Sequence, residues 1–221
     1  MVAGRRHFAL SRAAPLALLV AVVFGACAEP RFSYVRSGDV AGAEATAFFK
    51  LPSHWTVYEE DEVLADRAGG LSEEQLQQVQ SSQWLFAFDA DPKPSLEHVG
   101  GISEHPVGFA RVRMLTPLDS DYSVEDLRSE VFPLGTLATR EEFELIDRSA
   151  LELADGIEGE RLTFSLDRED GPMTVQQVGA FDEEARAVYL LVVTCESACF
   201  EEQRKAIDQV VDSWTVEGSV R

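Results

Sequence analysis

From Thr46 onward the apolar and polar positions fall into short runs whose period changes between that of a strand and that of a helix. Ala47–Leu51 and Trp55–Glu59 read as two short strands around the turn Leu51-Pro52-Ser53-His54. Ser72-Glu73-Glu74-Gln75 has the spacing of a capping box, and Leu76 with Val79 gives the helix behind it an apolar edge. Gln83–Ala90 (QWLFAFDA) is apolar almost throughout and predicts a buried strand that stops at Asp91-Pro92. Val107–Leu115 alternates and predicts a half-exposed strand, with Phe109 and Met114 among its apolar positions and Arg111 and Arg113 on the other face. Ser123–Val131 predicts a helix. Four strands follow at Phe143–Leu153, Gly156–Leu166, Met173–Phe181 and Ala187–Thr194, separated by the turns Asp155-Gly156, Asp170-Gly171-Pro172 and Asp182-Glu183-Glu184. Consecutive strands with short turns make an antiparallel meander. Phe200–Asp212 carries an apolar stripe of Phe200, Ile207, Val210 and Val211, and Ser213-Trp214-Thr215-Val216 is a last extended piece. One α+β domain over 46–217, with a tail at 218–221, accounts for the pattern.

The chain ahead of this domain has a different character. Arg5, Arg6 and Arg12 form a basic start, and an uncharged run of 14 residues extends from Ala13 to Ala26. That run has the length of an export-signal core and falls short of the roughly 20 residues that span a bilayer. It ends at Phe24-Gly25-Ala26-Cys27, which resembles a bacterial lipobox. The thiol of Cys27 would take a diacylglyceryl thioether, and small neighbours would let the signal peptidase reach the preceding bond. Residues 1–26 are then a signal peptide, Cys27 is the lipidation site, and residues 27–45 (small residues, Gly, Ser and scattered charge) are a lipidated tether. Ala26-Cys27-Ala28 is also an A-x-A site, so cleavage after Ala28 with release of a soluble protein is the alternative. Arg5-Arg6-His7-Phe8 resembles a twin-arginine signal, and the export route stays open between the two translocation systems.

Charge narrows the partners. The chain holds 19 basic and 39 acidic side chains, a formal net of −20. A chain cut before Cys27 keeps 16 basic against 39 acidic residues, a net of −23. A nucleic-acid binder would carry a basic patch, so no nucleic-acid partner is expected, nor a polybasic grip on lipid. The acidic body is expected to stand off the membrane on its tether. After Cys27, the remaining cysteines are Cys195 and Cys199, and an exported pair is expected to bridge. The spacing is too long for good disulfide geometry on a regular helix, so the bridge calls for a tight non-helical turn between a strand and a helix.

These landmarks together resemble the PsbP-like superfamily and, within it, the actinobacterial LpqN-type lipoproteins. The landmarks are Leu51-Pro52-x-x-Trp55 between the first two strands, the antiparallel meander, the closing helix into Ser213-Trp214-Thr215-Val216, and the lipobox. The resemblance implies an α/β/α sandwich with a central antiparallel sheet and helices on both faces. It also implies a non-enzymatic protein that binds or supports other proteins, with no catalytic residues to carry over.

The residues themselves offer little chemistry. His54 belongs to the Leu-Pro turn and is expected to be exposed; His98 and His105 flank Gly100-Gly101 beside Glu97 and Glu104 and read as a polar loop. Asp119-x-Asp121-x-Ser123 with Glu130 matches part of a calcium loop, but Val124 stands where the turn needs Gly, and Ser123 reads better as a helix N-cap. Glu59-Glu60-Asp61-Glu62 reads as a solvated acidic loop, and Asp89 and Asp91 as turn caps at Pro92. There is no G-x-S-x-G elbow and no phosphate-binding glycine loop. Trp55, Trp84, Phe86, Phe88 and Trp214 are expected in the core. No catalytic residue, cofactor or metal is expected. The expectation is an exported, lipid-anchored cell-envelope protein that binds other envelope proteins or cell-wall components on the extracytoplasmic face. The alternative is a carrier of a small apolar or lipid ligand between sheet and helices.

Overall fold

The computed structural model describes residues 31–67, 72–119, 122–153, 157–182 and 186–218. The signal segment 1–26, Cys27, Asp121, the turn Asp155-Gly156 and the residues Glu183-Glu184 lie outside the described residues. The first elements are β1 (Phe32–Arg36), β2 (Ala45–Pro52), β3 (Thr56–Tyr58), α1 (Glu60–Arg67), α2 (Glu73–Ser82), β4 (Gln83–Asp89), α3 (Leu96–Val99) and β5 (Val107–Met114). After a 3-10 turn at Pro117–Asp119 come α4 (Val124–Arg128), α5 (Leu134–Leu137), β6 (Phe143–Glu152), β7 (Glu158–Arg168), β8 (Gly171–Phe181), β9 (Ala187–Glu196), α6 (Ser197–Asp212) and β10 (Thr215–Gly218).

β8 and β9 are buried on both faces along most of their length, which places them at the middle of a sheet with a layer on each side. That sheet has seven antiparallel strands in the order β3-β4-β5-β9-β8-β7-β6. Period-two alternation sends Tyr189, Leu191 and Val193 of β9, Val178 and Ala180 of β8, and Trp84, Phe86 and Phe88 of β4 to one face. There they meet Phe200, Ile207, Val210 and Val211 of α6 and Ala47, Phe49 and Leu51 of β2. β2 is the middle strand of a second, three-stranded antiparallel sheet in the order β1-β2-β10. Tyr189 joins the two sheets: its hydroxyl donates to the carbonyl of Ala45 at 3.1 Å and accepts from the Ala45 N–H at 3.2 Å. The opposite face is split between two clusters. Leu162, Phe164, Met173, Val175, Leu190 and Val192 lie under Leu134 of α5, and Leu85 and Ala87 lie under Val63 of α1. The expected α/β/α sandwich with a central antiparallel sheet is present, with one outer layer made of α6 and the small sheet together.

The close approach of β5 to its neighbours leaves no space for a side chain at Gly108. A Cβ there would stand 2.1 Å from the Val192 carbonyl oxygen and 2.5 Å from the Phe88 ring. The buried ring of Phe88 fills the volume that the glycine leaves open.

The structure corrects five expectations. Residues 32–45 are not tether: β1 pairs with β2 from Phe32↔Pro52 to Arg36↔Phe48. The loop behind it buries Ser37 and Val40, turns at Gly42 (φ +94°), and brings Gly38 so close to Trp84 that a Cβ would lie 2.7 Å from the indole. Its Gly and Ser content suggests a linker, but backbone pairing to β2 outweighs local propensity. The domain therefore begins by Phe32, and at its far end β10 takes in Gly218 of the expected tail. Second, the acidic run is the first turn of α1, where Glu60, Asp61 and Glu62 sit at the positive end of the helix and Glu62 accepts from the Glu59 N–H at 3.1 Å. Third, Phe109 shares its face with Arg111 and Arg113, as positions two apart on a strand must. Fourth, the helix expected over Ser123–Val131 ends at Arg128, and Pro133 starts the separate α5. Fifth, Cys199 lies in the first turn of α6 rather than in a non-helical turn.

The Cys195–Cys199 bridge itself is present, with Cα atoms 6.0 Å apart. Cys195 is in extended backbone at the end of β9, which separates it from the helical spacing that would oppose a bridge. A loop this short is worth about 2 kcal/mol in chain entropy, so its main effect is to hold the strand-to-helix junction.

Burial pushes the Tyr189 hydroxyl up to about 12. The folded state therefore keeps a proton that the unfolded chain releases near pH 10, so this contribution is complete below pH 10 and is lost as pH rises toward 12. Urea unfolding should show stability falling by about 1.4 kcal/mol per pH unit in that window for this group. Tyr189→Phe should start less stable at neutral pH and lose less on going alkaline.

Candidate functional site: an aromatic groove between two sheet edges

β1 pairs only with β2, and β3 only with β4, among the described residues. The two strands stand at the same open side of the sandwich, and a groove of about 380 Å³ runs between them. Ser33, Tyr34, Val35 and Arg36 form one wall; Val57 and Glu59 form the other. The floor is Leu51, Trp55, Trp84 and Phe86. The floor is rigid because its rings are packed. Trp55 stacks on Phe88 at 5.6 Å, Trp84 on Phe86 at 5.7 Å, and Phe49 meets Phe86 edge-on at 5.9 Å. The aromatics expected in the core are buried there, and three of them also present a surface to the groove. The Val57 wall lies in the strand expected at Trp55–Glu59, whereas the β1 wall falls in the stretch whose Gly and Ser content suggests a tether; the alternation Phe32, Tyr34, Arg36 is its one trace in the sequence. Tyr34 is 80% exposed and Val57 is 41% exposed, so an apolar rim faces solvent.

A larger opening of about 510 Å³ lies at the other edge of the sheet, lined by Phe132, Leu137, Phe143 and Leu166 and rimmed by Arg140, Glu142, Asp167, Arg168 and Glu169. Near it, Leu145 and Ile146 are exposed at a bulge in the edge strand β6. Its rim is charged and of mixed sign, in contrast to the aromatic floor of the first groove.

The predicted chemistry-bearing residues resolve into structural clamps. Asp89 is fully buried at the end of β4. Its Oδ1 accepts from the Asp91 N–H at 2.7 Å, and its Oδ2 accepts from the Ser95 N–H at 2.9 Å and lies 2.7 Å from His98 Nδ1. His98 is therefore fixed to the sheet end rather than free in a polar loop, and Asp91 caps the turn by accepting from Lys93 N–H. His105 Nε2 lies 3.8 Å from Asp91, and His54 is exposed against Trp55. Glu130, Asp119 and Ser123 do not form a calcium loop. Arg113 donates to both oxygens of Glu130, at 2.7 and 3.0 Å, and to Asp119 at 3.3 Å. Tyr122 donates to Glu130 at 3.0 Å, and burial with the adjacent carboxylate raises its pKa. Asp119 also accepts from the Thr116 N–H and hydroxyl, which with Arg113 lowers its pKa. Ser123 starts α4 in a capping box with Asp126. Among the described residues, no group of three or more His, Cys, Asp or Glu is placed to hold a metal ion, and no helix is long and apolar enough to cross a membrane.

No protein-family model and no curated protein matches the chain. Among solved structures it is similar to cyanobacterial PsbP from Synechocystis sp. PCC 6803, at 13% identity, with 87% of this chain and 96% of that chain covered and a TM-score of 0.46. It is also similar to LpqN of Mycobacterium tuberculosis, described as involved in cell envelope biogenesis, at 16% identity, 83% and 91% coverage and a TM-score of 0.48. A third is the Ran-binding protein Mog1p of Saccharomyces cerevisiae, at 9% identity, 84% and 95% coverage and a TM-score of 0.44. The likeness is one of fold.

A second clamp fixes α4 to the sheet. Glu160, buried on β7, accepts from Arg128 at 2.5 and 3.0 Å and from Arg148 at 2.7 Å. Glu160→Ala should destabilise the protein by about 1–3 kcal/mol in urea unfolding, because charge-assisted hydrogen bonds are lost while both guanidinium groups keep contact with water.

Proposed function

We propose that the protein is exported, is anchored by a diacylglyceryl thioether on Cys27 to the extracytoplasmic face of the cell membrane, and works there by binding. The groove between β1 and β3 takes an extended, apolar-rich segment of another envelope protein. The observation that supports this reading most is an aromatic floor lying between two strands that each keep one edge unpaired among the described residues. A strand added along either edge gains main-chain hydrogen bonds, while its alternate side chains enter the space above Trp55, Trp84 and Phe86. The non-catalytic reading agrees with the state of the polar groups: Asp89, Glu130 and Glu160 are spent on arginines, His98 and backbone N–H groups.

A photo-crosslinker at Val57, introduced in the full chain in its own host, should give a discrete protein adduct. The same group at Glu202 on the exposed face of α6 should give none. Equal labelling at both positions, or none at Val57, would remove the groove from the function.

The groove volume also suits a small apolar ligand, which keeps the carrier reading in view with its site between the two sheets rather than between sheet and helices. Native mass spectrometry of the full chain separates the two readings. A co-purifying small molecule lost in Val57→Glu supports the carrier; a clean apo mass supports the protein-binding groove.

A further inference from the structure

We propose that the outward face of the three-stranded sheet lies on the phospholipid headgroups of the membrane that holds Cys27. This deepens the anchor reading above and rests on it. Alternation along β1 and β2 turns Ala47, Phe49 and Leu51 into the core and leaves Phe32, Tyr34, Arg36, Phe48 and Lys50 on the outer side. Lys50 Nζ sits 5.2 Å from the centre of the Tyr34 ring, so an ammonium and a phenol share one exposed spot. Amphipathic rings beside long cationic side chains are the residue types that settle at a membrane interface.

Two constraints choose the bilayer as the occupant. The first is reach. Phe32 is five residues beyond Cys27, and extended chain spans at most about 3.6 Å per residue, so the start of β1 is held within about 18 Å of the Cys27 Cα. The 19-residue tether that would have allowed the body to stand away is replaced by a short leash. The second is charge. A chain starting at Cys27 carries a net of −23, and at physiological salt charges interact over about 8 Å, so an acidic body on a short leash must turn its least acidic side to anionic lipid. The outer side of the small sheet is such a side. Arg36 and Lys50, with Arg31 next to β1, stand against Asp39, which pairs with Arg36 at 3.2 Å, and Glu217 on β10. α6, which shares this outer layer, exposes Arg204 and Lys205 beside Glu201, Glu202, Asp208 and Asp212; Arg204 pairs with Glu201, and Arg161 with Asp212.

The test uses the full chain processed in a bacterial host and reconstituted in vesicles of phosphatidylglycerol and phosphatidylethanolamine. Intact mass reports the acyl chains on Cys27, and Tyr34→Trp places an indole on the outer sheet face, while the native Trp55, Trp84 and Trp214 are buried and give a constant background. The new indole should shift to the blue and lose about twofold in emission with brominated lipids, and Lys50→Glu should weaken that quenching. Emission unchanged by brominated lipid in a chain whose mass confirms acylation overturns the docking alone. A mass without acyl chains overturns the anchor and the docking together. Protection that appears only when envelope proteins are added to the vesicles also overturns it, because a protein then covers the face.

Discussion

A sheet whose central strands are apolar on both sides can exist in water only if both sides are covered. β8 and β9 impose that condition here, and the other layers follow from it. α6 is too narrow to cover one face of a seven-stranded sheet alone. The small sheet supplies the remainder, with Phe49 and Leu51 beside the α6 stripe. The opposite face is covered in pieces by α1, α3, α4 and α5, most of them short. Arginine–carboxylate clamps hold α4 in place where its length gives little packing. Arg113–Glu130 and Arg128–Glu160 lie at the end of that face where β5 and β7 present polar rather than apolar side chains.

The groove is a consequence of the same covering. Where the small sheet ends at β1 and the large sheet ends at β3, two edges face each other with the aromatic side of β4 between them. Exposed edges are normally a hazard, and short strands limit it: β1 has five residues and β3 has three. A short edge over a rigid apolar floor admits a limited length of partner chain.

Surface charge and folding are largely separate in this protein. The acids that dominate the composition lie in first turns of helices, in loops and on the outer side of α6, where hydration or helix N–H groups satisfy them. Among the described residues three carboxylates are buried: Asp89 and Glu160 each receive three hydrogen bonds, and Asp182 Oδ1 accepts from the N–H groups of Arg186 and Ala187. An acidic exterior keeps such a body soluble and leaves the small sheet, with Arg36 and Lys50, as a side of different character.

Local pattern determined the elements with strong signals. The meander from Phe143 to Thr194, the apolar run of β4, the capping box at Ser72–Gln75 and the α6 stripe were legible because alternation, caps and helical period are properties of neighbouring residues. The Cys195–Cys199 bridge followed from a different sign, a cysteine pair behind an export signal. Tertiary structure decided what depends on distant partners. β1 is a strand because β2 offers it hydrogen bonds, although its flanking Gly and Ser suggest linker. His98 is fixed because Asp89, nine residues away, is buried beneath it. The groove walls, Val35 and Val57, come together only when two separate sheets pack. A site built from the ends of two sheets leaves no periodic trace in either strand, since its geometry is set by how the sheets stack and not by the spacing of residues along the chain.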